Sequence, residues 1–144
     1  MVAIDPGTKN VGIAFPNRFF TLTKNGIGKA GLVDLARRTF EEIKNEHIIM
    51  IEDYAHGASF NKEEAEFIGM LFLLLEPYHP YIVMMPITSV KKAMTGDGRA
   101  TKSKMMKAVK EHYKIDSKIN HECDALAILY SYKVLDTEKW SFNL

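Results

Sequence analysis

Apolar residues come first in short runs and later at helical spacing. Residues 2–4 and 11–15 are β-type runs divided by the turn cluster Pro6-Gly7-Thr8-Lys9-Asn10. A third run, 19–22, follows closely enough to complete a three-stranded meander. The period then changes: Leu32, Leu35, Ala36, Phe40 and Ile43 recur as one face of a helix. Residues 48–51 contain no polar side chain, which predicts a short strand covered on both faces. Asn61 followed by Glu64 has the form of a capping box, opening a helix that reaches about Leu75, where Pro77 and Pro80 end it. Residues 81–85 make another buried strand, stopped by Pro86. One or two helical turns over 88–94, a flexible Thr95-Gly96-Asp97-Gly98 loop and a helix over 101–113 come next. A last helix, capped by Asn120, runs from His121 to about Leu135. Three strands, then strands alternating with helices, predict an α/β fold: a mixed five-stranded sheet with helices on its faces.

Size and composition narrow the class. A chain of 144 residues suits one domain, 1–144, with a substantial core. Apolar content of 47% and charged content of 26% are those of an ordinary globular protein. The longest apolar run, 70–75, is far too short to cross a bilayer, so no membrane partner is expected. No basic-then-apolar leader opens the sequence, and the single cysteine, Cys123, excludes an internal disulfide. Both features lead to a cytoplasmic expectation. The net charge of +1 conceals an asymmetry: residues 88–118 hold nine basic against three acidic side chains, a local +6 that leaves −5 for the remainder. Such a basic arm suits either a solvated helix face or a polyanionic ligand.

Two apolar runs end in acids: Ile4 leads into Asp5, and Ile51 into Glu52-Asp53. A third acid, Asp124, stands near the C-terminus in His121-Glu122-Cys123-Asp124. Carboxylates from distant segments can meet at one edge of a sheet, and their mutual repulsion then calls for a cation between them. This points to a divalent-metal site and phosphate chemistry. Alternation along a strand lets only one of Glu52 and Asp53 share a face with Asp5, and Glu52 is the candidate. His121 and Asp124, three apart, share a helix face and can ligate one cation. Cys123 lies on the neighbouring face and suits the core. No Cys/His set supports zinc, and no Gly-x-x-x-x-Gly-Lys-Ser/Thr loop supports a P-loop ATPase.

Three strings sharpen the picture. The opening Ile4-Asp5-Pro6-Gly7-Thr8-x-x-x-Gly12, the block Val90-Lys91-x-x-x-x-Gly96-x-Gly98-x-Ala100-x-Lys102, and His121-x-x-Asp124-Ala125-Leu126-Ala127 together resemble the RuvC family of Holliday junction resolvases. The string Ile51-Glu52-Asp53-Tyr54-Ala55-His56-Gly57 is similar to phage-borne members. The resemblance spans Asp5 to Ala127 in the family's order. It implies an RNase H-like fold, dependence on two Mg²⁺ or Mn²⁺ ions, and a homodimer that cuts branched, four-way DNA by paired symmetric hydrolysis.

Carried over by position, the resemblance implies Asp5, Glu52, His121 and Asp124 as catalytic metal ligands. Lys91 and Lys102 fall on the family's two functional lysines, near the scissile phosphate. Lys92, Arg99 and Lys104 are further expected DNA contacts. The family often has a phenylalanine three residues after the catalytic glutamate; here that position is Ala55, and Tyr54 or Phe60 is the candidate to stack on an unpaired base. The apolar helix 61–75 covers more than one face, which suits either a dimer surface or a helix buried within the monomer. Two rival readings stand beside this one: a YqgF-like RNase H-fold nuclease acting on RNA, and a catalytically inactive junction-binding protein.

Overall fold

The computed structural model describes residues 1–53 and 61–144. Among these residues, six strands and five α-helices follow one another as β1 (Val2–Asp5), β2 (Asn10–Ala14), β3 (Phe19–Thr23), α1 (Gly28–Ile43), β4 (Ile48–Asp53), α2 (Lys62–Leu75), β5 (Tyr81–Pro86), α3 (Ile87–Thr95), α4 (Lys102–Tyr113), α5 (Asn120–Val134) and β6 (Ser141–Asn143). Together the strands form one sheet in the order β3-β2-β1-β4-β5-β6. The meander β1-β2-β3 is antiparallel, β1-β4 and β4-β5 are parallel, and β6 closes the far edge antiparallel to β5. The sheet is mixed, as expected, but has six strands rather than five. β6 went unread because three residues are too few to show a period. Its neighbour Trp140 packs on one core, while Phe142 meets Phe72 edge-on with ring centroids 5.9 Å apart.

Alternation along the strands divides the interior into two layers. Val2, Ile4, Val11, Ile13, Ile49, Ile51 and Ile82 face α1 and α2, which supply Leu32, Leu35, Ala36, Ile43, Phe67, Leu71 and Leu75. Residues of the opposite parity, Ala3, Ala14, Met50, Val83 and Met85, face α3, α4 and α5. α5 is buried on nearly every side, from Cys123 to Leu129, because it lies between the sheet and the α3–α4 pair. A helix in that position needs no amphipathic stripe. Its one buried hydroxyl, Ser131, donates to the Ala127 carbonyl at 2.8 Å. Thr39 does the same in α1, to Leu35 at 2.9 Å.

The helix starts test the capping expectations. Asn61 caps α2 as read, its Oδ1 accepting from the N–H groups of Glu63 and Glu64. Thr101 caps α4 through Lys104 N–H. Asn120 does not cap α5; it is the first helical residue, and Ile119 precedes it without a side-chain cap. Ser117 organises that entry instead, accepting from Ile119 N–H at 3.2 Å and donating to Glu122 at 2.6 Å.

The Thr95–Gly98 stretch, expected as a flexible loop, is a hydrogen-bonded turn. Gly96 ends α3 at φ 78°, its N–H on the Lys92 carbonyl, and the Asp97 carboxylate accepts from Arg99 N–H at 2.9 Å. A residue with a side chain would be strained at Gly96, so the turn depends on glycine.

Candidate active site

Asp5 and Glu52 end adjacent parallel strands. The register pairs Ile4 with Ile51, so these two acids are the next residues on each strand. Both continue the parity of Ala3 and Met50, which places their side chains on the α5 side of the sheet. Asp53 continues the parity of Ile49 and Ile51, toward the other layer. Glu52, not Asp53, thus shares the face of Asp5. Burial agrees: Asp5 is 3% and Glu52 6% exposed.

α5 brings His121 and Asp124 to the same edge. Gly12 makes this approach close. It pairs with Asp5 across β1–β2, and a Cβ built on it would lie 2.0 Å from the His121 carbonyl oxygen. The first turn of α5 therefore rests on bare backbone. Gly7 closes the preceding turn similarly, since its Cβ would lie 2.3 Å from the Asn10 carbonyl. Free N–H groups at the start of α5 add a positive field at an edge rich in carboxylates.

Two adjoining clefts open here. One, of about 220 Å³, is lined by Glu52, Ile87, Val90, Lys91, Lys102, Met105 and Asp124. The other, of about 260 Å³, is lined by the turn from Asp5 to Asn10 together with Glu64, Lys102, His121 and Asp124. Lys102 and Asp124 belong to both, forming the ridge between them.

Two pairs of opposite groups meet across these clefts within the chain. His121 Nδ1 lies 2.6 Å from Asp5 Oδ2, and Lys102 Nζ lies 3.1 Å from Asp124 Oδ2. The hydrogen bond to Asp5 raises the His121 pKa despite the opposing effect of burial, so Nδ1 carries a proton in this arrangement. Burial pulls the Lys102 ammonium down, but Asp124, then Asp5 and Glu52, carry it above its ordinary value. Asp124 is nonetheless pushed up, first by burial and then by the charge of Asp5, which together outweigh Lys102. The pair thus favours the charged lysine without making Asp124 a comfortable anion.

This pairing amends the expectation that only a metal could make convergent carboxylates tolerable. Among the described residues, no three His, Cys, Asp or Glu side chains stand close enough together to enclose a cation in this arrangement. The donor set still fits a hard divalent ion in kind: carboxylate oxygens with one imidazole, gathered at one edge and balanced by a removable proton and a mobile ammonium. Loading would require His121 to be deprotonated at whichever ring nitrogen takes the ion, and Lys102 to leave Asp124.

The remaining expected site residues divide. Lys91 and Lys102 reach the carboxylate cleft. Lys92 and Arg99 do not; they line a shallow outer groove with Thr88, Gly96, Asp97 and Gly98. Lys104 is 3.3 Å from Asp97 and so belongs to that outer turn. Tyr54, Ala55 and Phe60 lie outside the described residues. Cys123 is buried in the core, and burial raises its thiol pKa. Among the cleft residues that the sequence did not mark is Glu64, whose role in the helix start already accounted for an acid at that position.

No family model matches the chain. Curated relatives do. The chain is 28% identical to the crossover junction endodeoxyribonuclease RuvC of Sulfurovum sp. (strain NBC37-1), over 92% of its own length and 93% of the relative's. It is 29% identical to the RuvC of Wolinella succinogenes, over 93% and 94%, and 29% identical to that of Aliarcobacter butzleri, over 92% and 96%. Among solved structures, Thermus thermophilus RuvC superposes with a TM-score of 0.75 at 16% identity, each chain covered fully. The same protein in complex with a Holliday junction substrate gives 0.76 at 17%, covering 100% of this chain and 99% of that one. These superpositions show the RNase H-like fold. Along nearly its whole length the chain is thus similar to RuvC proteins, and it shares their fold.

Proposed function

We propose that this protein is a divalent-metal-dependent DNA endonuclease that resolves four-way junctions by paired, symmetric phosphodiester hydrolysis. The observation that carries the proposal is the meeting of Asp5, Glu52, His121 and Asp124 with Lys91 and Lys102 around two adjoining clefts. The curated relatives with full-length similarity are named crossover junction endodeoxyribonucleases, which supports the same activity here.

Asp5, Glu52, His121 and Asp124 would hold Mg²⁺ or Mn²⁺, two ions per site. The bound metal supplies Lewis acidity that lowers the pKa of the attacking water and offsets charge on the phosphate. Around it, the chain's own residues have distinct tasks. Asp5 and Glu52, fixed at strand ends, provide a rigid anionic floor. His121, now hydrogen-bonded to Asp5, would hold the ion as a neutral imidazole. Lys102, released from Asp124, turns its charge toward the scissile phosphate, and Lys91 meets the same phosphate from α3.

Binding follows a different logic. Lys92, Arg99 and Lys104, on the outer turn, would hold the sugar–phosphate backbone outside the cleft. Phosphate contacts make affinity fall steeply with salt, while shape and bendability select the junction. Tyr54 and Phe60 remain the candidates for stacking on an unpaired base. Two nicks require two sites, so the working unit is a homodimer. α2 buries Phe67, Leu71 and Leu75 inward yet leaves Leu73 77% exposed, an outward apolar surface suited to a second copy. Among the described residues no helix is long and apolar enough to cross a membrane, and junction processing suits the cytoplasm.

Asp5→Asn tests the proposal. The variant should lose at least ~10³-fold in cleavage of a synthetic mobile four-way junction with Mg²⁺ or Mn²⁺, while binding it in EDTA as the wild type does. Full cleavage by the variant would refute the site. A second reading follows from the internal pairing of Asp5 and Asp124: a junction binder without catalysis. It would be favoured if the wild-type protein bound junctions tightly and nicked none with either metal. Preference for structured RNA over four-way DNA would point instead to a YqgF-like nuclease.

A further inference from the structure

α2 begins with three glutamates that go to different places. Glu63 and Glu66 both pair with Lys29 of α1. Glu64 does not. It lines the cleft with Asp5, Lys102, His121 and Asp124, although α2 packs on the opposite layer of the sheet. It reaches the site because both layers meet at the carboxyl edge, where α2 starts. Among the described residues no lysine or arginine pairs with Glu64, whereas Asp124 has Lys102 and Asp5 has His121.

We propose that Glu64 is a positioning residue of the cation site: its charge sets how strongly the cleft attracts divalent metal and how strongly it repels phosphate. This inference rests on the endonuclease reading given above. Lys102 and His121 bring positive charge into the cleft, and Glu64 opposes it. Asn61 fixes the first turn of α2 by accepting from the Glu63 and Glu64 N–H groups, which sets the Glu64 backbone at the rim of the cleft. Burial first, and then the charge of Asp5, hold the Glu64 pKa above its ordinary value. A carboxylate under those two penalties gains from a nearby divalent cation, which relieves the repulsion. The same charge disfavours a phosphate entering without metal, so Glu64 couples DNA seating to cation loading.

The opposite signs make the test specific. Mn²⁺ binding to the full chain is measured by titration calorimetry, and four-way junction binding is measured separately in EDTA. Glu64→Gln keeps the side chain's size. It should weaken Mn²⁺ binding by about 3- to 10-fold and leave metal-free junction binding equal or tighter. Glu63→Gln removes a charge from the same helical turn, on the side facing Lys29, and should change neither. Unaltered Mn²⁺ affinity in Glu64→Gln, or an equal loss in Glu63→Gln, would overturn the inference. The wild type separates this result from failure of the endonuclease reading. If it binds Mn²⁺ and cuts junctions while Glu64→Gln matches it in binding, only the role of Glu64 is lost. If it does neither, the reading and the inference fall together.

Discussion

The two sides of the sheet are built from different materials. Toward α1 and α2 the strands present Val2, Ile4, Val11, Ile13, Ile49, Ile51 and Ile82, branched side chains that fill space against Phe67, Leu71 and Leu75. Toward α5 the first two strands present Ala3, Ala14 and Gly12, and the carboxylates continue that side of β1 and β4. Large side chains hold a helix away from a sheet; small ones let it descend. The thick side supplies stability. The thin side lets α5 settle low enough for His121 to reach Asp5, at the proposed active site. The same alternation that builds a core on one face thus places acids on the other.

That division can be tested by damaging each side in turn. Of the two layer variants, Gly12→Ala should have the larger effect on function. The added methyl would lie 2.0 Å from the His121 carbonyl oxygen and 2.5 Å from its carbonyl carbon, so backbone has to move. A shift of about 1 Å in His121 relative to Asp5 is enough to cost ~10²-fold in cleavage. Loss of activity in a variant that still folds and binds junctions would confirm that the close approach serves the site. Wild-type cleavage would show that α5 has slack at this point.

Leu71→Ala attacks the other side. Leu71 is fully buried between α2 and the sheet, and its truncation should cost ~2–5 kcal/mol of stability through lost burial and a residual cavity. Cleavage per folded molecule should change less than in Gly12→Ala, because Leu71 lines neither cleft. Denaturant titration gives the first quantity, and activity scaled to the folded fraction gives the second. Equal catalytic loss in both variants would erase the distinction between the layers.

Legibility in the sequence follows the same boundary. The strands on the thick side announce themselves by unbroken aliphatic runs, and helices α1 and α2 by spacing or capping. Parity then selects Glu52 over Asp53 without any structure. Resemblance to a family, rather than period, brought Lys91 and Lys102 toward the acids, since a lysine on a helix carries no signal of which cleft it faces. Lys91 and Lys92 illustrate the limit: adjacent in sequence, they line different grooves. Glu64 was hidden because its cap position already explained it. β6 was hidden because three residues cannot display alternation. The internal pairing of Asp5 with His121 and Asp124 with Lys102 depends on distances across more than one element, which no local pattern encodes.

The smallest effect is a change in pH response, and its sign follows from the pairing. The His121 pKa is raised by its bond to Asp5, so the stabilisation from this pair is fully present below the ordinary histidine value of 6.5 and is lost as pH rises through the higher folded value. Asp124 and Glu64 are raised from 3.8 and 4.5, chiefly by burial, so the folded chain holds their protons more tightly than the unfolded one. Their contribution also declines as pH climbs from those ordinary values through the raised ones. All three act in one direction: the metal-free chain loses stability from mildly acidic toward alkaline pH. Divalent metal competes for the same carboxylates and imidazole, and it does so against fewer protons as pH rises. The gain in Tm on adding Mg²⁺ or Mn²⁺ should therefore be larger at about pH 8 than at about pH 5.5, by a few degrees. Leu71→Ala should keep that difference, because its damage lies in the other layer. Gly12→Ala should shrink it, because displaced His121 no longer shares its proton with Asp5. A metal-induced gain independent of pH would mean that the ion binds somewhere other than the thin side of the sheet.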